Sequence, residues 1–173
     1  MKKNLVLLGM MGVGKTTLGK IVAKKLNLKF VDTDLNIEKK FSMKIAEIFK
    51  NKGEIFFRIG EEKEAIECLK KNGTVIALGG GAFMNKNIRN LILKNSLSFW
   101  LDLNIKTISK RVNWNKKRPL LNQENVQEVI KRLYLKRKNI YKLAKYKINC
   151  DKMTKKEIVE KIISFYENYK IKS

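Results

Sequence analysis

Nine residues near the start of the sequence, GMMGVGKTT, have the types and the spacing needed to hold a phosphate group. They begin at Gly9, directly after the apolar run of residues 4–8, and Gly14 is followed by lysine and threonine. A strand, a glycine-containing turn and a helix that begins at Lys-Thr would direct successive backbone N–H groups at phosphate oxygens. The pattern predicts a nucleotide-binding loop; the alternative is a glycine turn that holds no ligand.

Individual residues of this loop have separate expected roles. Gly12 and Gly14 can adopt backbone conformations that other residues rarely adopt. Lys15 would reach the β and γ phosphates, and the Thr16 hydroxyl would coordinate Mg²⁺. We expect the nucleotide to be bound by consecutive residues of the loop, namely Gly12, Val13, Gly14, Lys15, Thr16 and Thr17.

Two aspartates lie in the stretch FVDTD, in which the second predicted strand ends. Their spacing places Asp32 and Asp34 on one side of the chain, beyond the carboxyl end of the strand, where ligands bind in open α/β sheets. The sequence has no His, so a proton acceptor near the phosphate would be a carboxylate. Asp32 is placed to hold Mg²⁺ through water, and Asp34 to orient or deprotonate an acceptor hydroxyl. Alternatively, both aspartates cap a helix over residues 35–41.

Arginine is rare in this sequence, since six of the 39 basic residues are arginine and the others are lysine. A chain with this bias is expected to keep arginine where the planar guanidinium matters, as for a carboxylate or a phosphate. Arg58 has Glu61 three positions on, a spacing that lets the carboxylate orient the guanidinium on a helix but that a surface ion pair shares. Arg118 precedes the single proline in a polar stretch that predicts a mobile loop. It would swing over the phosphates or remain a solvated charge.

Three consecutive glycines, Gly79 to Gly81, follow the apolar run TVIAL. Because they have no side chains, they would let a ligand approach the backbone closely. The alternative is a simple turn, which requires fewer glycines.

Apolar, β-branched runs alternate with longer segments of helical period, which is typical of a parallel α/β sheet. Strands are predicted at residues 4–8, 29–32, 74–78, 98–101 and 146–149. Helices are predicted at residues 15–26, 42–52, 54–71, 86–94, 105–112, 125–143 and 155–169. Thr154 and Glu157 predict a capping box at the start of the last helix. With 173 residues, 44% of them hydrophobic, the chain is expected to form one core and one domain.

The formal net charge of +23 is typical of proteins that bind nucleic acid or acidic membranes. The lysines are spread along the whole chain, however, which favours a lysine-coated surface over a binding stripe. The sequence has no apolar run of 18 residues and no signal-peptide core after Met1, so we expect a soluble protein of the cell interior. Cys68 and Cys150 lie far apart and are expected to be reduced and packed as small hydrophobes; a disulfide is the alternative.

In their order and separations, these motifs resemble those of the shikimate kinase family. The resemblance covers essentially the whole chain and rests on Gly9 to Thr17, Asp32 to Asp34, Phe57-Arg58 with Glu61, Gly79 to Gly81, Arg118 to Leu121, and Arg137 with Tyr141. It implies a nucleoside-monophosphate-kinase-like three-layer α/β fold, with a five-stranded parallel sheet of order 2-3-1-4-5 flanked by helices. It also implies one phosphate-loop kinase domain over residues 1–173, with a mobile lid at about 113–124 and a shikimate-binding region at about 34–61.

The resemblance further implies transfer of the ATP γ-phosphoryl group to the 3-hydroxyl of shikimate, in the pathway to chorismate and the aromatic amino acids. Arg58 and Arg137 are implied to bind the shikimate carboxylate. The implied acceptor site is completed by the glycines Gly79, Gly80 and Gly81, of which Gly80 supplies a backbone contact. Asp34 is implied to hold the ring hydroxyls and to act as base or orienting group.

On the nucleotide side, the resemblance implies that Lys15 and the lid residue Arg118 stabilise charge on the transferring group. Thr16 and Asp32 are implied to hold one Mg²⁺ per subunit, with ATP as the co-substrate. Arg111 matches the arginine that stacks on adenine in this family.

The segment after the lid departs from the family pattern. Where the family commonly has Glu-Arg-x-Pro-Leu-Tyr, this chain has KRKNIY over residues 136–141. Without the proline, the helix is expected to continue more regularly. Lys136 adds charge beside the carboxylate site, and Arg132 is the alternative to Arg137.

Two other functions compete with this interpretation. Another small-metabolite kinase of the same fold, such as a gluconate kinase, would share the phosphate loop but is not expected to need Asp-Thr-Asp, Phe-Arg and the triple glycine together. A nucleic-acid-dependent ATPase fits the charge, but the sequence has no strand-ending Asp-Glu box and no room for a second motor domain. We therefore expect ATP and shikimate as partners, neither nucleic acid nor membrane, and a cytoplasmic monomer.

Overall fold

The computed structural model describes residues 2–113 and 126–171. Over these residues, strands and helices alternate along the chain. The strands are β1 (Asn4–Leu8), β2 (Lys29–Asp32), β3 (Thr74–Ala77), β4 (Ser96–Asp102) and β5 (Tyr146–Asn149). The helices are α1 (Lys15–Leu26), α2 (Thr33–Phe41), α3 (Ile45–Leu69), α4 (Lys86–Asn95), α5 (Ile105–Asn113), α6 (Val126–Tyr141) and α7 (Lys155–Ile171), with a 3₁₀ turn at Ala82–Met84.

The described strands form one parallel sheet of order β2-β3-β1-β4-β5. Helix α1 packs against α7, and α3 packs against α4, so that helices flank the sheet in two layers. The predicted three-layer fold and its strand order are confirmed.

Strand β1 lies at the centre of this sheet and is buried along its whole length. An unbroken apolar run is what a parallel strand needs when helices cover both of its faces. The polar residue of the strand, Asn4, is buried as well; its amide donates to the carbonyls of Leu69 (3.2 Å) and Lys71, and its Oδ1 accepts the N–H of Thr74 at 3.0 Å. The first residue of β1 is therefore held by three hydrogen bonds, and the strand fixes the position of the loop that follows Leu8.

Buried side chains form two separate clusters. The main core lies around the sheet and includes Leu7, Ile76 and Phe99, none of which is exposed. A second group, here called the small cluster, lies between α2 and α3. It is built on Ile37, Ile48 and Phe57, with Phe41, Met43, Ile45 and Phe49 packed against them.

The region between β2 and β3 differs from the sequence prediction. The structure has α2 at Thr33–Phe41, which the sequence prediction offered only as the alternative of a helix over residues 35–41 capped by the aspartates. The prediction also starts the next helix at residue 42. Ser42 instead ends α2 with a φ of 51°, so that α3 begins at Ile45. The predicted break between residues 52 and 54 is confirmed, because Gly53 interrupts α3 with a φ of 83° and a ψ of 170°.

Other element bounds differ by a few residues. Strand β4 begins at Ser96 and not at residue 98, because Ser96 pairs with Asn4 of β1. Helix α6 continues unbroken to Tyr141, as expected without the family's proline. At the start of α7, the Glu157 carboxylate accepts from the Thr154 N–H at 2.6 Å, and Thr154 Oγ1 accepts from the Glu157 N–H at 3.3 Å, which confirms the capping box.

The predicted lid at 113–124 lies outside the described residues, apart from Asn113 at the end of α5.

Both cysteines are free and buried, as predicted. Burial raises the pKa of Cys68 to about 12 and that of Cys150 to about 11. None of the described helices combines the length and the apolar character that crossing a bilayer requires.

Candidate active site

The loop between β1 and α1 has the backbone shape that phosphate binding requires. Gly12 and Gly14 have φ values of 78° and 100°, in the region that favours glycine. The side chain of Lys15, the first residue of α1, turns back over the loop and donates to the carbonyls of Gly9 (2.9 Å) and Met10 (3.0 Å). The ammonium group is thus held at the loop beside the N-terminus of α1, where a phosphate would bind.

Thr16 and Asp32 lie together at the base of this loop. The Thr16 hydroxyl donates to Asp32 Oδ2 at 2.6 Å. The other carboxylate oxygen of Asp32 accepts the N–H groups of Asp34 (3.0 Å) and Leu35 (3.2 Å), so that Asp32 also caps α2. The two interpretations of Asp32, helix cap and partner of the phosphate loop, are therefore compatible. Hydroxyl and carboxylate oxygens are the donors that Mg²⁺ prefers.

Helix α5 packs directly on the phosphate loop. A Cβ on Gly12 would lie 2.9 Å from Cγ2 of Val112, which leaves no room for a side chain there. Arg111 Nη1 donates to the Gly12 carbonyl at 3.4 Å, and the rest of this arginine is exposed. The structure thus brings Arg111 to the nucleotide loop. The predicted lid arginine, Arg118, lies outside the described residues.

Asp34 faces the glycine segment from the first turn of α2. A Cβ on Gly79 would lie 2.6 Å from Asp34 Oδ1 and 2.9 Å from Glu61 Oε1. Two carboxylates from different helices therefore occupy the space where a side chain of residue 79 would lie. This position lies just past the carboxyl end of β3, at the edge of the sheet where ligands of α/β proteins bind.

Arg58 is held by two carboxylates of its own helix. Its Nη1 donates to Glu61 Oε2 at 2.7 Å, and its Nη2 donates to Glu54 Oε1 at 3.0 Å. Its guanidinium carbon also lies 5.2 Å from the ring centroid of Phe57. Burial lowers the pKa of Arg58, but Glu61 and Glu54 together raise it above its ordinary value. The predicted pairing with Glu61 is confirmed, and the guanidinium is oriented rather than free to rotate.

Glu61 is buried, with 3% of its surface exposed. Burial raises the pKa of its carboxyl, although Arg58 and Arg137 lower it. An isolated carboxylate at this depth would be costly, and the two arginines favour its charged form against burial. Glu61 in turn anchors Arg58 through a hydrogen bond and attracts the charge of Arg137.

Gly79 and Gly81 are required for space and not for backbone conformation, since none of the three glycines has a φ in the left-handed region. A Cβ on Gly81 would lie 2.7 Å from Arg58 Nη1, whereas one on Gly80 would make an ordinary contact, 3.5 Å from the Met11 N–H nitrogen. Together with the contacts of Gly79, this means that three side chains and the phosphate loop close in on one bare segment of backbone. The alternative of a simple turn does not account for this crowding.

Arg137 reaches the same segment from α6. Its Nη1 donates to the Gly80 carbonyl at 3.3 Å, and 7% of its surface is exposed. Arg132, on the same helix, has an exposed side chain. The geometry thus brings Arg137, and not Arg132, to the glycines.

Some contacts of this site were not predicted from the sequence. Glu54 lies four positions before Arg58, a helical spacing that signals the second ion pair. The hydroxyl of Tyr141 donates to the Gly80 carbonyl at 2.5 Å, and no local spacing predicts this bond, because 61 residues separate the two. The approach of Asp34 and Glu61 to Gly79 likewise depends on how α2 and α3 pack.

The site combines a phosphate-binding loop, a carboxylate pair and two cations that face a bare backbone segment. Such an arrangement can hold a nucleotide on one side and a small anion with hydroxyl groups on the other. With the sheet order described above, it defines a phosphate-loop kinase of the nucleoside-monophosphate-kinase fold.

Comparison with known proteins identifies the family. The family model for shikimate kinase matches residues 11–167. The chain belongs to the shikimate kinase family and is an ATP-dependent phosphotransferase.

Individual relatives agree along nearly the whole chain. The shikimate kinase of Sulfurihydrogenibium sp. (strain YO3AOP1) is 47% identical over 162 residues, which cover 94% of this chain and 96% of that protein. The shikimate kinase of Bacillus subtilis (strain 168) is 40% identical over 164 residues, or 94% and 88% of the two chains. Among solved structures, shikimate kinase from Acinetobacter baumannii in complex with shikimate has a TM-score of 0.93 at 30% identity, covering 98% and 96%.

More distant structures share the fold alone. A gluconokinase from Sinorhizobium meliloti has a TM-score of 0.60 at 11% identity over 99% of this chain and 97% of its own. This similarity does not identify the acceptor substrate, because the specificity for the acceptor depends on the side chains that face the glycines.

Proposed function

We propose that the protein transfers the γ-phosphoryl group of ATP to the 3-hydroxyl of shikimate, which yields shikimate 3-phosphate and ADP on the route to chorismate and the aromatic amino acids. The observation that carries the proposal is the meeting of Asp34, Arg58 and Arg137 at the glycines beside the phosphate loop. Shikimate is a small anion with several hydroxyls, and these groups complement it. Family membership supports the same reaction.

In this proposal, Arg58 and Arg137 bind the shikimate carboxylate, because planar guanidinium groups can meet a carboxylate with two parallel hydrogen bonds. Arg58 is already held by Glu61 and Glu54, and Arg137 by the Gly80 carbonyl, so little rotamer freedom remains to be lost when the acceptor binds. Gly79, Gly80 and Gly81 supply the bare backbone against which the ring lies, with a backbone contact from Gly80.

Asp34 orients the ring hydroxyls and accepts the proton from the attacking one. Its carboxylate lies against Gly79, on the side of the acceptor segment that faces α2. The sequence contains no His that could accept this proton. A carboxylate within hydrogen-bonding reach can both align a hydroxyl and remove its proton as the bond to phosphorus forms.

On the nucleotide side, Gly12, Val13, Gly14, Lys15, Thr16 and Thr17 bind the phosphates, mostly through backbone N–H groups. Lys15 stabilises charge on the transferring phosphoryl group, as does Arg118 from the lid at 113–124. Arg111, which lies beside Gly12, stacks on adenine.

Thr16 and Asp32 are the residues that would hold one Mg²⁺ per subunit, and their paired oxygens fit this ion. When bound, the ion neutralises negative charge on the phosphate oxygens. Asp32 is already oriented by the N-terminus of α2, so that the carboxylate is in place before the nucleotide arrives.

The remaining parts of the proposal concern organisation and location. Residues 1–173 act as one kinase domain, with residues 34–61 as the acceptor region. The protein acts as a cytoplasmic monomer, with neither nucleic acid nor a membrane as partner. The net charge of +23 supports the monomer, because like charges on two copies repel each other.

A coupled assay of ADP release with Mg-ATP tests the proposal. The acceptors compared are shikimate, quinate, gluconate, nucleoside monophosphates and single-stranded nucleic acid. We expect release that depends on shikimate, while the other compounds stay silent. Turnover with another acceptor and silence with shikimate would contradict the roles of Asp34, Arg58 and Arg137 and leave the phosphate loop assignment standing. Stimulation by nucleic acid that persists at physiological salt would contradict the expected partners.

A further inference from the structure

Tyr141, the last residue of α6, has no part in the roles described above, although it reaches the acceptor segment from the core. Its side chain is fully buried, and its ring lies beside Trp100 with 5.9 Å between the ring centroids. Its hydroxyl donates to the Gly80 carbonyl at 2.5 Å and lies 3.9 Å from the sulfur of Met10. The tyrosine therefore connects the core, the phosphate loop and the glycine segment.

The Gly80 carbonyl receives a second donor from the same helix, Arg137 Nη1 at 3.3 Å. Residues 137 and 141 are one helical turn apart and lie on one face of α6. A carbonyl oxygen can accept two hydrogen bonds, and both are supplied here by side chains of α6. The orientation of this single peptide group is thus tied to the position of the Arg137 guanidinium.

Gly80 needs such support because of its place in the chain. It lies between the end of β3 at Ala77 and the 3₁₀ turn that begins at Ala82, so that neither element includes its carbonyl. A glycine peptide in a loop has more backbone freedom than any other. If the Gly80–Gly81 peptide rotated, its carbonyl would turn away from Arg137, and the arginine would lose its contact with the segment.

We infer that Tyr141 is a positioning residue for the acceptor. Its hydroxyl holds the Gly80 carbonyl, and through it the Gly80–Gly81 peptide and the Arg137 guanidinium, in the orientation that receives the shikimate carboxylate. Tyr141 itself touches neither substrate. The inference rests on the proposed function.

The ionisation of Tyr141 suits this role. Burial raises the pKa of its hydroxyl to about 12, although Arg137 lowers it. The group therefore stays protonated, and able to donate, throughout the pH range in which kinases work.

The test compares Tyr141→Phe with Tyr134→Phe. Tyr134 lies on the same helix and loses an equivalent hydrogen bond, from its hydroxyl to Asp102 Oδ1 at 3.1 Å. In Tyr141→Phe we expect the KM for shikimate to rise about 10-fold, which is the effect of one well-formed hydrogen bond, while the KM for ATP changes less than about twofold. In Tyr134→Phe we expect both constants to stay within about twofold of the unsubstituted protein. Phenylalanine keeps the ring contact with Trp100, and thermal unfolding of each variant checks that the fold is retained.

An unchanged KM for shikimate in Tyr141→Phe would overturn the inference, and so would an equal rise in both KM values, since a hydroxyl that only supports the fold would act on both substrates. Loss of shikimate-dependent turnover already in the unsubstituted protein would instead overturn the proposed function, and the inference with it. The two failures are therefore distinguished by the same assay.

A double-mutant cycle with Arg137→Lys tests the route through the arginine. If Tyr141 acts by placing Arg137, then Tyr141→Phe changes the KM for shikimate less than about threefold once Arg137 is lysine. The same 10-fold factor in both backgrounds would show that Tyr141 acts without Arg137 and would contradict this route.

Discussion

The two halves of the site are built in different ways. The phosphate half consists of consecutive residues between β1 and α1, and its shape is set mainly by the backbone conformation of the loop. The acceptor half is assembled from α2, α3, the glycine segment and α6, and its side chains are held by other side chains. A loop of the first kind can be recognised from local spacing, whereas a site of the second kind exists only when distant elements pack correctly.

Part of the acceptor half also rests on a different core. The phosphate loop follows β1, which lies in the main core, whereas α2 and the first part of α3 pack on the small cluster. Gly53 separates that first part of α3 from the part that carries Arg58. We therefore expect α2 and the first part of α3 to be less stable locally than the phosphate half.

The largest effect is expected at Asp34. In Asp34→Asn, kcat with shikimate should fall about 10²- to 10⁴-fold, because an amide cannot accept the proton of the attacking hydroxyl. ATP binding should change less than about twofold, since Asp34 faces Gly79 and not the phosphate loop. Steady-state kinetics and calorimetric titration with a non-hydrolysable ATP analogue measure the two quantities. The matched control is Glu67→Gln on the surface of α3, where turnover should be unchanged; unchanged turnover in Asp34→Asn would remove Asp34 from the mechanism.

The next largest effect is expected at Arg58. Lysine in its place keeps the charge but loses the planar fork that meets two carboxylate oxygens, so Arg58→Lys should raise the KM for shikimate about 10- to 100-fold. The KM for ATP should stay within about twofold. Lys63→Arg, a reciprocal exchange at an exposed position of the same helix, serves as control and should change neither constant. A rise in the KM for ATP alone would place Arg58 in the phosphate half and contradict its role in binding the shikimate carboxylate.

A smaller effect is expected when a methyl group is added to the glycine segment. Gly79→Ala would place a carbon 2.6 Å from Asp34 Oδ1, so the carboxylate must move, and kcat/KM for shikimate should fall roughly 10-fold. Gly53→Ala is the matched comparison, because a Cβ there meets nothing within 4 Å but the φ of 83° is strained for alanine. It should lower the free energy of unfolding by about 1 kcal/mol or more and leave kcat/KM nearly unchanged. Equal loss of activity in both variants would show that a methyl group at Gly79 acts through stability and not through its contact with Asp34.

The smallest expected effect is a difference in local stability between the two halves, which can be measured without a substitution. Amide hydrogen exchange should be at least about 10-fold faster in α2 and in residues 45–52 than in β1, since the small cluster protects these helices less than the main core protects the sheet. Saturating shikimate should slow exchange in these helices more than in β1. Equal protection in α2 and β1 would contradict the proposed difference in local stability.

The same division explains what the sequence could predict. The strands, the phosphate loop and the pairing of Arg58 with Glu61 follow from runs and spacings shorter than one element, whereas the strand order came from the family resemblance. Helix α2 was predicted only as the alternative in which the aspartates cap a helix over residues 35–41, because it is short and its first turn coincides with the Asp-Thr-Asp stretch. Asp32 has two roles, since one carboxylate oxygen caps α2 and the other accepts a hydrogen bond from Thr16.

The acceptor half was predicted as a set of residues through the family resemblance, but its geometry was not. Nothing local in the sequence indicates that Gly79 lies against Asp34 and Glu61, or that Tyr141 and Arg137 share the Gly80 carbonyl. These contacts depend on long-range packing of α6 and α3 around the sheet. Arg132 could be set aside only when the face of α6 that meets the glycines was known.

The central claim is that the acceptor half presents one hydroxyl of shikimate to the phosphate half. The most direct test is to locate the phosphorus in the product made from Mg-ATP and shikimate, by correlating its ³¹P resonance with the ring protons. The account predicts a single phosphate ester coupled to the proton at carbon 3 and little free inorganic phosphate. Coupling to a different ring proton, or inorganic phosphate as the main product, would contradict it.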